Sequence, residues 1–332
     1  MTLLSRALLA SLSIATLLAC GPVSHNSDAA PADSATDASG SDGASSSATV
    51  IATFKVQLTQ PSMTAPGSTA VLGRVQDAPT PSTVQWTQSM QSGDCKLLLP
   101  SVPSCAPSCG SSAACVSTNT CQRYPNGLSA GAVTLSGLSM SAGSSPVSLT
   151  NVANNYQLPA GTMLTYPAFA EGATLTLQAA GEGSVPAFTA SNMGIAPLTV
   201  TSTNLTVAAN SAVNLTWTAP MSPSAALRIK VKLDISHHGG TRGQITCDTD
   251  DDGSLEIAAP LVTALVSLGV AGFPSIVVTR ERTTSTTVAG AQINFSILSD
   301  VEQYVTIPGV RSCTDNADCM GMGTCREDLT CG

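Results

Sequence analysis

The sequence predicts an all-β fold: an antiparallel β-sandwich with two small disulfide-rich modules and one short helix. Charged residues make up only 10% of the chain, and Ser, Thr, Ala and Gly are visibly abundant. Surface helices usually carry many charged residues on their wet faces, so this composition favours strands and turns. Short apolar runs separated by turn residues recur along the chain, which is also typical of strands. Together these observations predict a body built from β-strands.

The N-terminus has the three parts of a secretory signal peptide over residues 1–19. Arg6 supplies the positive charge, an apolar run follows it, and Ala19 is a small residue before the cleavage site. The run is shorter than the about 20 residues that a membrane-spanning helix needs. The segment 17–20, Leu-Leu-Ala-Cys, resembles the lipobox of bacterial lipoproteins, in which the cysteine is lipidated and becomes the mature N-terminus.

This resemblance implies that Cys20 is the lipidation site and that the protein lies in the cell envelope. By resemblance to Gram-negative lipoproteins, Gly21 after the cysteine favours sorting to the outer membrane. Several acyl chains hold a protein firmly on a bilayer, whereas one chain binds only marginally. The alternative is an ordinary signal peptide in which the cysteine is accidental.

Residues 20–48 are expected to form a disordered tether. They consist mainly of Ser, Ala, Asp, Gly and Pro and contain almost no large apolar side chain. Such a segment cannot bury enough surface to offset its chain entropy. Directly after a lipid anchor, it would hold a folded body away from the membrane.

The charge of the chain argues against two classes of partner. The formal net charge is −8, and it becomes −9 when Arg6 is removed with the signal peptide. An acidic chain is poorly suited to binding nucleic acid or to electrostatic attachment to anionic lipid. The partners that we expect are the membrane, through the lipid anchor, and an envelope protein or polysaccharide.

Strand candidates fill residues 49–94 and 126–311. They are 50–58, 70–75, 83–87, 133–135, 173–179, 198–201, 213–218, 227–235, 244–247, 275–279 and 291–298. The clearest is 227–235, where apolar residues alternate with charged ones, so that one face is buried and the other is wet. One helix is predicted from Pro260, at its first turn, to Gly269, which ends it.

The segment 214–220, Asn-Leu-Thr-Trp-Thr-Ala-Pro, resembles the tryptophan-bearing strand of bacterial Ig-like and fibronectin-like sandwiches. The resemblance rests on Trp217 and its immediate neighbours. It implies that residues 126–311 form an Ig-like or fibronectin-like antiparallel β-sandwich.

Cysteine counting predicts five disulfide bonds. With Cys20 lipidated, ten of the 11 cysteines remain, an even number for an oxidising compartment. Residues 95–125 and 312–332 each contain a similarly spaced set of four cysteines, so they are interpreted as two copies of one module. The two copies account for eight cysteines and leave Cys95 and Cys247, which we predict to pair with each other.

Within a module three connectivities are possible, and we predict that the first cysteine pairs with the third and the second with the fourth. The resulting bonds are Cys105–Cys115, Cys109–Cys121, Cys313–Cys325 and Cys319–Cys331. The pattern resembles the small disulfide knots of cysteine-rich extracellular proteins, such as the Dickkopf N-terminal type. Zinc binding by the four cysteines is the alternative, and the oxidising compartment disfavours it.

The acidic segment 248–256 is the most site-like stretch of the chain. Asp248, Asp250, Asp252 and Glu256 resemble the front half of a calcium-binding loop, in which closely spaced carboxylates surround one hard cation. However, Ala259 occupies the twelfth position, where such loops carry a bidentate Glu. The expectation is a weak calcium site with a dissociation constant of about 10⁻⁴–10⁻³ M, or else a solvated acidic turn. No other cofactor is expected.

No catalytic motif of a nucleophile, zinc hydrolase or phosphate-binding loop is evident. His237 and His238, followed by Gly239, resemble the histidine pair of metallo-β-lactamase-like hydrolases. That family needs further histidines, and this chain has only three in all. The sequence therefore predicts a binding or structural module and not an enzyme.

The alternative is a secreted or surface hydrolase acting on envelope or extracellular polymers. It would use one of the two histidines, or a pair of carboxylates. The carboxylate candidates are Glu171, Glu182, Asp234 and Glu256. A concave pocket of convergent polar groups near these histidines or the acidic segment would favour the hydrolase.

Overall fold

The computed structural model describes residues 50–61, 65–142, 145–240, 242–321 and 323–332. The predictions for residues 1–48, including the lipidation of Cys20, lie outside this part of the chain. Within it, no helix is long and apolar enough to cross a membrane.

The described residues form 17 strands and one α-helix. The strands are β1 (Ile51–Thr59), β2 (Ser68–Gln76), β3 (Gln85–Ser92), β4 (Cys95–Ser101), β5 (Ala113–Ser117), β6 (Thr120–Arg123), β7 (Val133–Ser136), β8 (Val147–Val152), β9 (Asn155–Gln157), β10 (Thr174–Ala179), β11 (Phe188–Met193), β12 (Val213–Thr216), β13 (Leu227–Asp234), β14 (Gln244–Asp250), β15 (Ser254–Ile257), β16 (Ser275–Val288) and β17 (Ala291–Tyr304). The helix α1 covers Ala259–Val266, and a short 3₁₀ helix covers Asn316–Cys319.

Thirteen of these strands form one mixed sheet, in the order β11-β10-β7-β8-β9-β2-β1-β17-β16-β13-β14-β4-β3. Neighbouring strands are antiparallel except β1 and β17, which are parallel. Two small sheets, β12-β15 and β5-β6, complete the strand pairing. The all-β prediction, with small disulfide-bonded modules and one short helix, is confirmed.

Two hydrophobic cores lie along this sheet. The first core packs β1, β2 and β7–β11 against the first half of β17, with Phe54, Tyr156 and Phe295 among its fully buried side chains. Where β11 meets β16 and β17, the side-chain amide of Asn192 on β11 donates to the carbonyl oxygens of Arg282 (2.9 Å) and Phe295 (2.8 Å). The sheet therefore packs back on itself in a sandwich-like arrangement.

The second core lies beneath β4, β13, β14 and the first half of β16, and it is covered by β12, β15 and α1. In β13 the alternating pattern acts as predicted, because Leu227, Ile229, Val231 and Leu233 are all buried. The helix begins at Ala259, with Pro260 in its first turn, and ends at Val266, three residues before Gly269. Leu261, Val262 and Leu265 are its buried residues. The long β16–β17 hairpin contributes to both cores.

The sequence predicts separate N-terminal strands in residues 49–94 and a sandwich in residues 126–311. In the structure, strands from both ranges belong to the same sheet. Strand β1 lies between β2 and β17, in the middle of the sheet, and the described residues from 50 to 332 group as one compact unit. The first residues of the predicted module 95–125 also differ from expectation, since they form β4 and pair with β14. The pairing of β1 with β17 leaves no local pattern from which it could be predicted. The position of β4 beside β14 agrees with the predicted Cys95–Cys247 bond, although the strand itself was not predicted.

The five disulfide bonds in the structure join the pairs that the sequence predicts. Cys95 and Cys247 are directly opposite each other on β4 and β14, and both are buried. The remaining bonds lie within the two modules and are Cys105–Cys115, Cys109–Cys121, Cys313–Cys325 and Cys319–Cys331. The modules differ in packing: Cys313 and Cys319 are buried, whereas Cys105 and Cys109 are partly exposed.

Asp77, directly after β2, binds the end of the N-terminal cysteine-rich module, residues 95–125, and the residue that follows it. Its carboxylate accepts from the backbone and side-chain nitrogens of Asn126 (2.8 and 2.9 Å) and forms an ion pair with Arg123 (3.0 Å). The hydrogen bond from Arg123, followed by those from Asn126, lowers the pKa of Asp77 to about 2.

We expect the stabilisation from Asp77 to be lost in acid. Because the pKa is lower in the folded protein than the usual 3.8, this contribution is complete above about pH 4 and disappears as the pH falls towards 2. Thermal unfolding of wild type and Asp77→Asn between pH 2 and 7 should show a difference of at most about 1 kcal/mol at neutral pH that vanishes near pH 2. A difference that does not change over this range would contradict the assignment.

Candidate binding face

All four lysines of the chain project from one face of the large sheet. Lys55 lies on β1, Lys96 on β4, and Lys230 and Lys232 on β13. Directly paired residues of neighbouring strands share a face, and so do alternate residues of one strand. The pairs that connect the four lysines across the sheet are Lys96–Thr246, Thr246–Lys232, Lys230–Thr279, Thr279–Asp300 and Asp300–Thr59. We call this surface, formed by β9, β2, β1, β17, β16, β13, β14 and β4, the lysine face.

Two grooves lie on the lysine face. The first has a volume of ≈ 470 Å³ and lies over β4, β14, β13 and β16, lined by Lys96, Lys230, Lys232, Asp94, Asp248 and Thr246 among others. The second has a volume of ≈ 420 Å³ and lies over β1, β2 and β9, lined by Lys55, Arg74, Asn155 and Gln157 among others. Both could receive a polar ligand that runs across the strands.

The carboxylates on this face mostly have partners. Arg228 forms ion pairs with Asp248 (2.9 Å) and with Asp250, and the hydrogen bond to Asp248 raises the pKa of Arg228. The ammonium of Lys230 lies 3.3 Å from the carboxylate of Glu281. Asp300 accepts hydrogen bonds from the side chains of Gln57 (2.8 Å) and Thr279 (2.7 Å).

Three lysines on this face lack such a partner. In the part of the chain that the structure describes, no carboxylate oxygen lies within 4.0 Å of the ammonium of Lys55, Lys96 or Lys232. Lys55 and Lys96 are exposed and Lys232 is half-buried. These ammonium groups are available to an anionic ligand.

Two exposed aromatic side chains lie on the same side of the sheet, one on the edge strand β3 and the other at the end of the central strand β17. Trp86 on β3 is paired with Pro100, which is on the same side of β4 as Lys96, and Trp86 is 38% exposed. Tyr304, the last residue of β17, is on the same side as Asp300 and is 73% exposed. This face could not be predicted from the sequence, because its residues come from strands that are far apart in the chain.

The acidic segment has a structure different from that of a calcium-binding loop. Asp248 and Asp250 are on β14, where their alternate spacing places both on the lysine face against Arg228. Asp252 accepts from the backbone of Ser254 (3.2 Å), and Glu256 is exposed on β15. Among the described residues, the groups of three or more potential ligands close enough for one metal ion consist of cysteines that are already in disulfide bonds.

The calcium site therefore stays a prediction, and it requires Asp248 and Asp250 to leave Arg228. If calcium binds there, Arg228→Ala should bind it more tightly than wild type, whose expected dissociation constant is about 10⁻⁴–10⁻³ M. Calorimetric titration of both proteins at millimolar calcium measures this difference. An absence of binding heat in both proteins would dispose of the site.

Asp251 is not among the site residues that the sequence predicts in this segment. It is buried with Arg280 above the second core. The Nε of Arg280 donates to Asp251 Oδ2 (2.5 Å) and its Nη2 to Asp251 Oδ1 (3.0 Å). The remaining guanidinium hydrogens reach the carbonyl oxygens of Ala196, Pro197 and Thr218. Trp217 Nε1 also donates to Asp251 Oδ1 (2.7 Å).

This network uses all the donors of the guanidinium. Arg280 and Asp251 are 1% and 6% exposed, so neither can contact a solute without unfolding of its surroundings. Their role is structural. The burial of Arg280 could be predicted from the sequence, because Arg280 continues the alternation in which Ile276 and Val278 of β16 face inwards.

Within the described residues, no side-chain hydrogen bond or ion pair joins either histidine to a candidate carboxylate of the predicted hydrolase alternative. His237 and His238 lie in the turn after β13, with ring centroids 3.9 Å apart, and His238 has a positive φ of 64° that brings both rings to one side. The candidate carboxylates Glu171 and Glu182 accept hydrogen bonds from the backbone of Ser222 (3.0 Å) and the hydroxyl of Ser129 (2.5 Å). Asp234 likewise accepts from Ser236, and Glu256 is on β15.

No family model matches the chain, and no curated protein matches it either.

Proposed function

We propose that this chain is a lipid-anchored protein of the cell envelope, attached through Cys20, and that its folded body is a binding module. The lysine face is the proposed ligand surface. The observation that carries this proposal is the presence of all four lysines and two grooves on one exposed sheet face. The same face also carries carboxylates, and an exposed surface with both charges can recognise a polar partner by electrostatic complementarity.

The five disulfide bonds support a location outside the cytosol, because such bonds persist in oxidising compartments. The lipobox-like segment 17–20 supports attachment to a membrane. A flexible tether over residues 20–48 would have an end-to-end distance of about 30 Å. The body could then reach partners away from the bilayer surface.

The hydrolase alternative draws no support from the two histidines. Their rings contact each other at a tilt of 55° in a turn, and neither lines the grooves of the lysine face.

The anchor is tested by metabolic labelling with palmitate. The wild-type protein should incorporate label and fractionate with membranes, whereas Cys20→Ala should lose the label entirely because the acceptor thiol is absent. Cys109→Ala/Cys121→Ala is the matched control, since it removes two cysteines that are already in a disulfide bond of the N-terminal module and should keep the label. An unlabelled wild-type protein, or label that persists in Cys20→Ala, would refute the anchor.

The binding module is tested by retention of envelope components on the immobilised mature protein. We expect a component that is retained by wild type and reduced when the lysine face is altered by Lys96→Glu/Lys232→Glu. The control is Arg311→Glu/Arg326→Glu, which makes the same change of charge in the C-terminal module. Retention of nothing, or equal retention by both variants, would contradict the proposal.

A further inference from the structure

We infer that two copies of this chain associate through β3, the last strand at one end of the large sheet, which pairs antiparallel with β3 of the second copy. This inference goes beyond the proposed binding function and does not depend on the lysine face. It rests on an unpaired strand edge, on the absence of charge along that edge and on the closure of the opposite end of the sheet.

The first observation is the open edge of β3. Among the described residues, β4 is the only strand paired with β3, and no backbone hydrogen bond joins β3 to any other segment. All eight residues of β3 are exposed. Alternate residues of an edge strand direct their N–H and C=O groups away from the neighbouring strand, where they can pair with another chain. The outer edge of β3 is therefore a template for strand addition.

The second observation is that β3 has little of the protection that exposed edges usually carry. Its sequence, Gln-Trp-Thr-Gln-Ser-Met-Gln-Ser, contains no charged residue and no proline, although edges are commonly protected by lysine, by proline or by a bulge. The bulge of β3 lies at Ser89, between Gln88 and Met90. It leaves residues 85–88 in regular pairing with β4, and this half of the strand is where we place the contact.

The opposite end of the sheet is closed. The strand at that end, β11, contacts β16 and β17, and Asn192 of β11 donates to the carbonyl oxygens of Arg282 and Phe295 in these strands. The sheet can therefore be extended at the β3 end and not at the β11 end. Two identical edges that meet about a two-fold axis form a closed dimer, so association should stop at two copies.

A second copy suits this edge for two reasons. Two acidic chains, each with a formal net charge of −8, repel each other, but residues 85–88 bring no charge to the contact. Asp94, in the turn after β3, and Lys96, paired with Gln91, both lie beyond the bulge. A copy of β3 is also a preformed strand, so pairing costs it less conformational entropy than it would cost a disordered peptide.

Symmetry restricts the register of the pairing. Because directly opposite residues share a face of the sheet, two identical antiparallel strands meet about a two-fold axis that passes through one residue. We place Thr87 on this axis, so that the two threonines face each other and each Trp86 lies opposite Gln88 of the second copy. The two indoles are then diagonal neighbours about 7–8 Å apart, within reach of each other. Trp86, which is 38% exposed in the single chain, becomes covered.

Association is tested on the mature chain, residues 20–332, carrying Cys20→Ala so that no lipid draws copies into one micelle. A contact between two short strands is small, and we expect a monomer–dimer equilibrium with a dissociation constant of about 10⁻⁶–10⁻⁴ M. Sedimentation equilibrium over this range measures it. Amide exchange in β3 should slow as the dimer forms, because the outward N–H groups gain partners.

Tryptophan fluorescence gives a second, local signal. The chain has two tryptophans, and Trp217 is already buried, so a change of emission on association reports on Trp86. The emission should move to shorter wavelength as the protein concentration rises, since the indole of Trp86 leaves water. Trp86→Phe should abolish this shift.

Charges placed at the axis assign the dimer to β3. Thr87→Lys and Thr87→Glu should each weaken association roughly 2- to 30-fold, because like charges then face each other and the pair of threonines is lost. An equimolar mixture of the two variants should associate about as tightly as wild type, since opposite charges now meet, and this recovery requires both variants to be folded. The matched controls are Thr189→Lys and Thr189→Glu, which change an exposed threonine of β11 at the closed end of the sheet and should dimerise like wild type.

Three results would overturn the inference. They are a chain that is still monomeric at about 10⁻³ M, a dimer that neither Thr87 variant weakens, and association that continues beyond two copies. A monomer whose β3 amides become protected only when envelope fractions are added would show that a strand of another protein occupies the edge, and it would overturn the inference as well. The variants Lys96→Glu/Lys232→Glu test the proposed function separately, so the two can fail independently.

Discussion

Asp251→Ala is expected to lower the free energy of unfolding by about 3–5 kcal/mol. The substitution leaves the guanidinium of Arg280 charged and without its counterion in surroundings where it is only 1% exposed. It also removes the acceptor of the Trp217 indole hydrogen. The attraction between the two ions compensates for their removal from water only while both are present, so the loss of one partner is costly.

Urea unfolding with the disulfide bonds intact measures this effect through the midpoint and slope of the transition. The matched control is Asp250→Ala, one residue earlier, which removes an exposed carboxylate paired with Arg228 and should change stability by at most about 1 kcal/mol. The double variant Asp251→Leu/Arg280→Met should recover only part of the loss, because it leaves no buried charge but still removes the partners of the Trp217 indole and of three carbonyl oxygens. Equal effects of Asp251→Ala and Asp250→Ala would show that the buried network contributes little.

The pattern of the acidic segment is compatible with two different structures. Aspartates at every second position are expected both of a calcium loop and of a strand with one wet face. In the structure these residues belong to a strand, and Asp248 and Asp250 project outwards beside Arg228. Asp251 continues the inward-facing alternation of Cys247 and Thr249, so it is buried where Asp248 and Asp250 are not. Its partner Arg280 lies far along the chain and could not be assigned to it from the sequence.

Local patterns predicted the local features well. The alternation of β13, the helix at Pro260 and the pairing of cysteines within each module depend on residues close together in sequence. The parallel pairing of β1 with β17 and the position of β4 depend instead on residues far apart in sequence. The lysine face depends on the same long-range pairings, since it unites Lys55, Lys96 and the two lysines of β13. For this reason it could be identified only after the sheet order was known.

Cys95→Ala/Cys247→Ala should cause the largest loss of stability among the disulfide variants, about 5 kcal/mol in the chain-entropy model. This bond closes a loop with a sequence separation of 152, whereas the bonds within the modules close separations of 10 or 12 and contribute about 3 kcal/mol each. It also joins β4 to β14 near the edge of the sheet, where β3 is exposed along its whole length. The edge pair β3–β4 should therefore separate more readily when the bond is absent.

Hydrogen exchange distinguishes this local effect from a uniform loss of stability. In Cys95→Ala/Cys247→Ala, amide protection should fall most in β3, β4 and β14, while the first core, built around β1 and β17, should change only as much as the global stability does. Cys109→Ala/Cys121→Ala is the matched control, because it removes a bond from the N-terminal module and should leave protection in β14 close to that of wild type. If both variants lower the urea midpoint equally and leave β4 protected, the pairing of β4 with β14 would be held by its backbone hydrogen bonds and packing, and the long loop closure would contribute little.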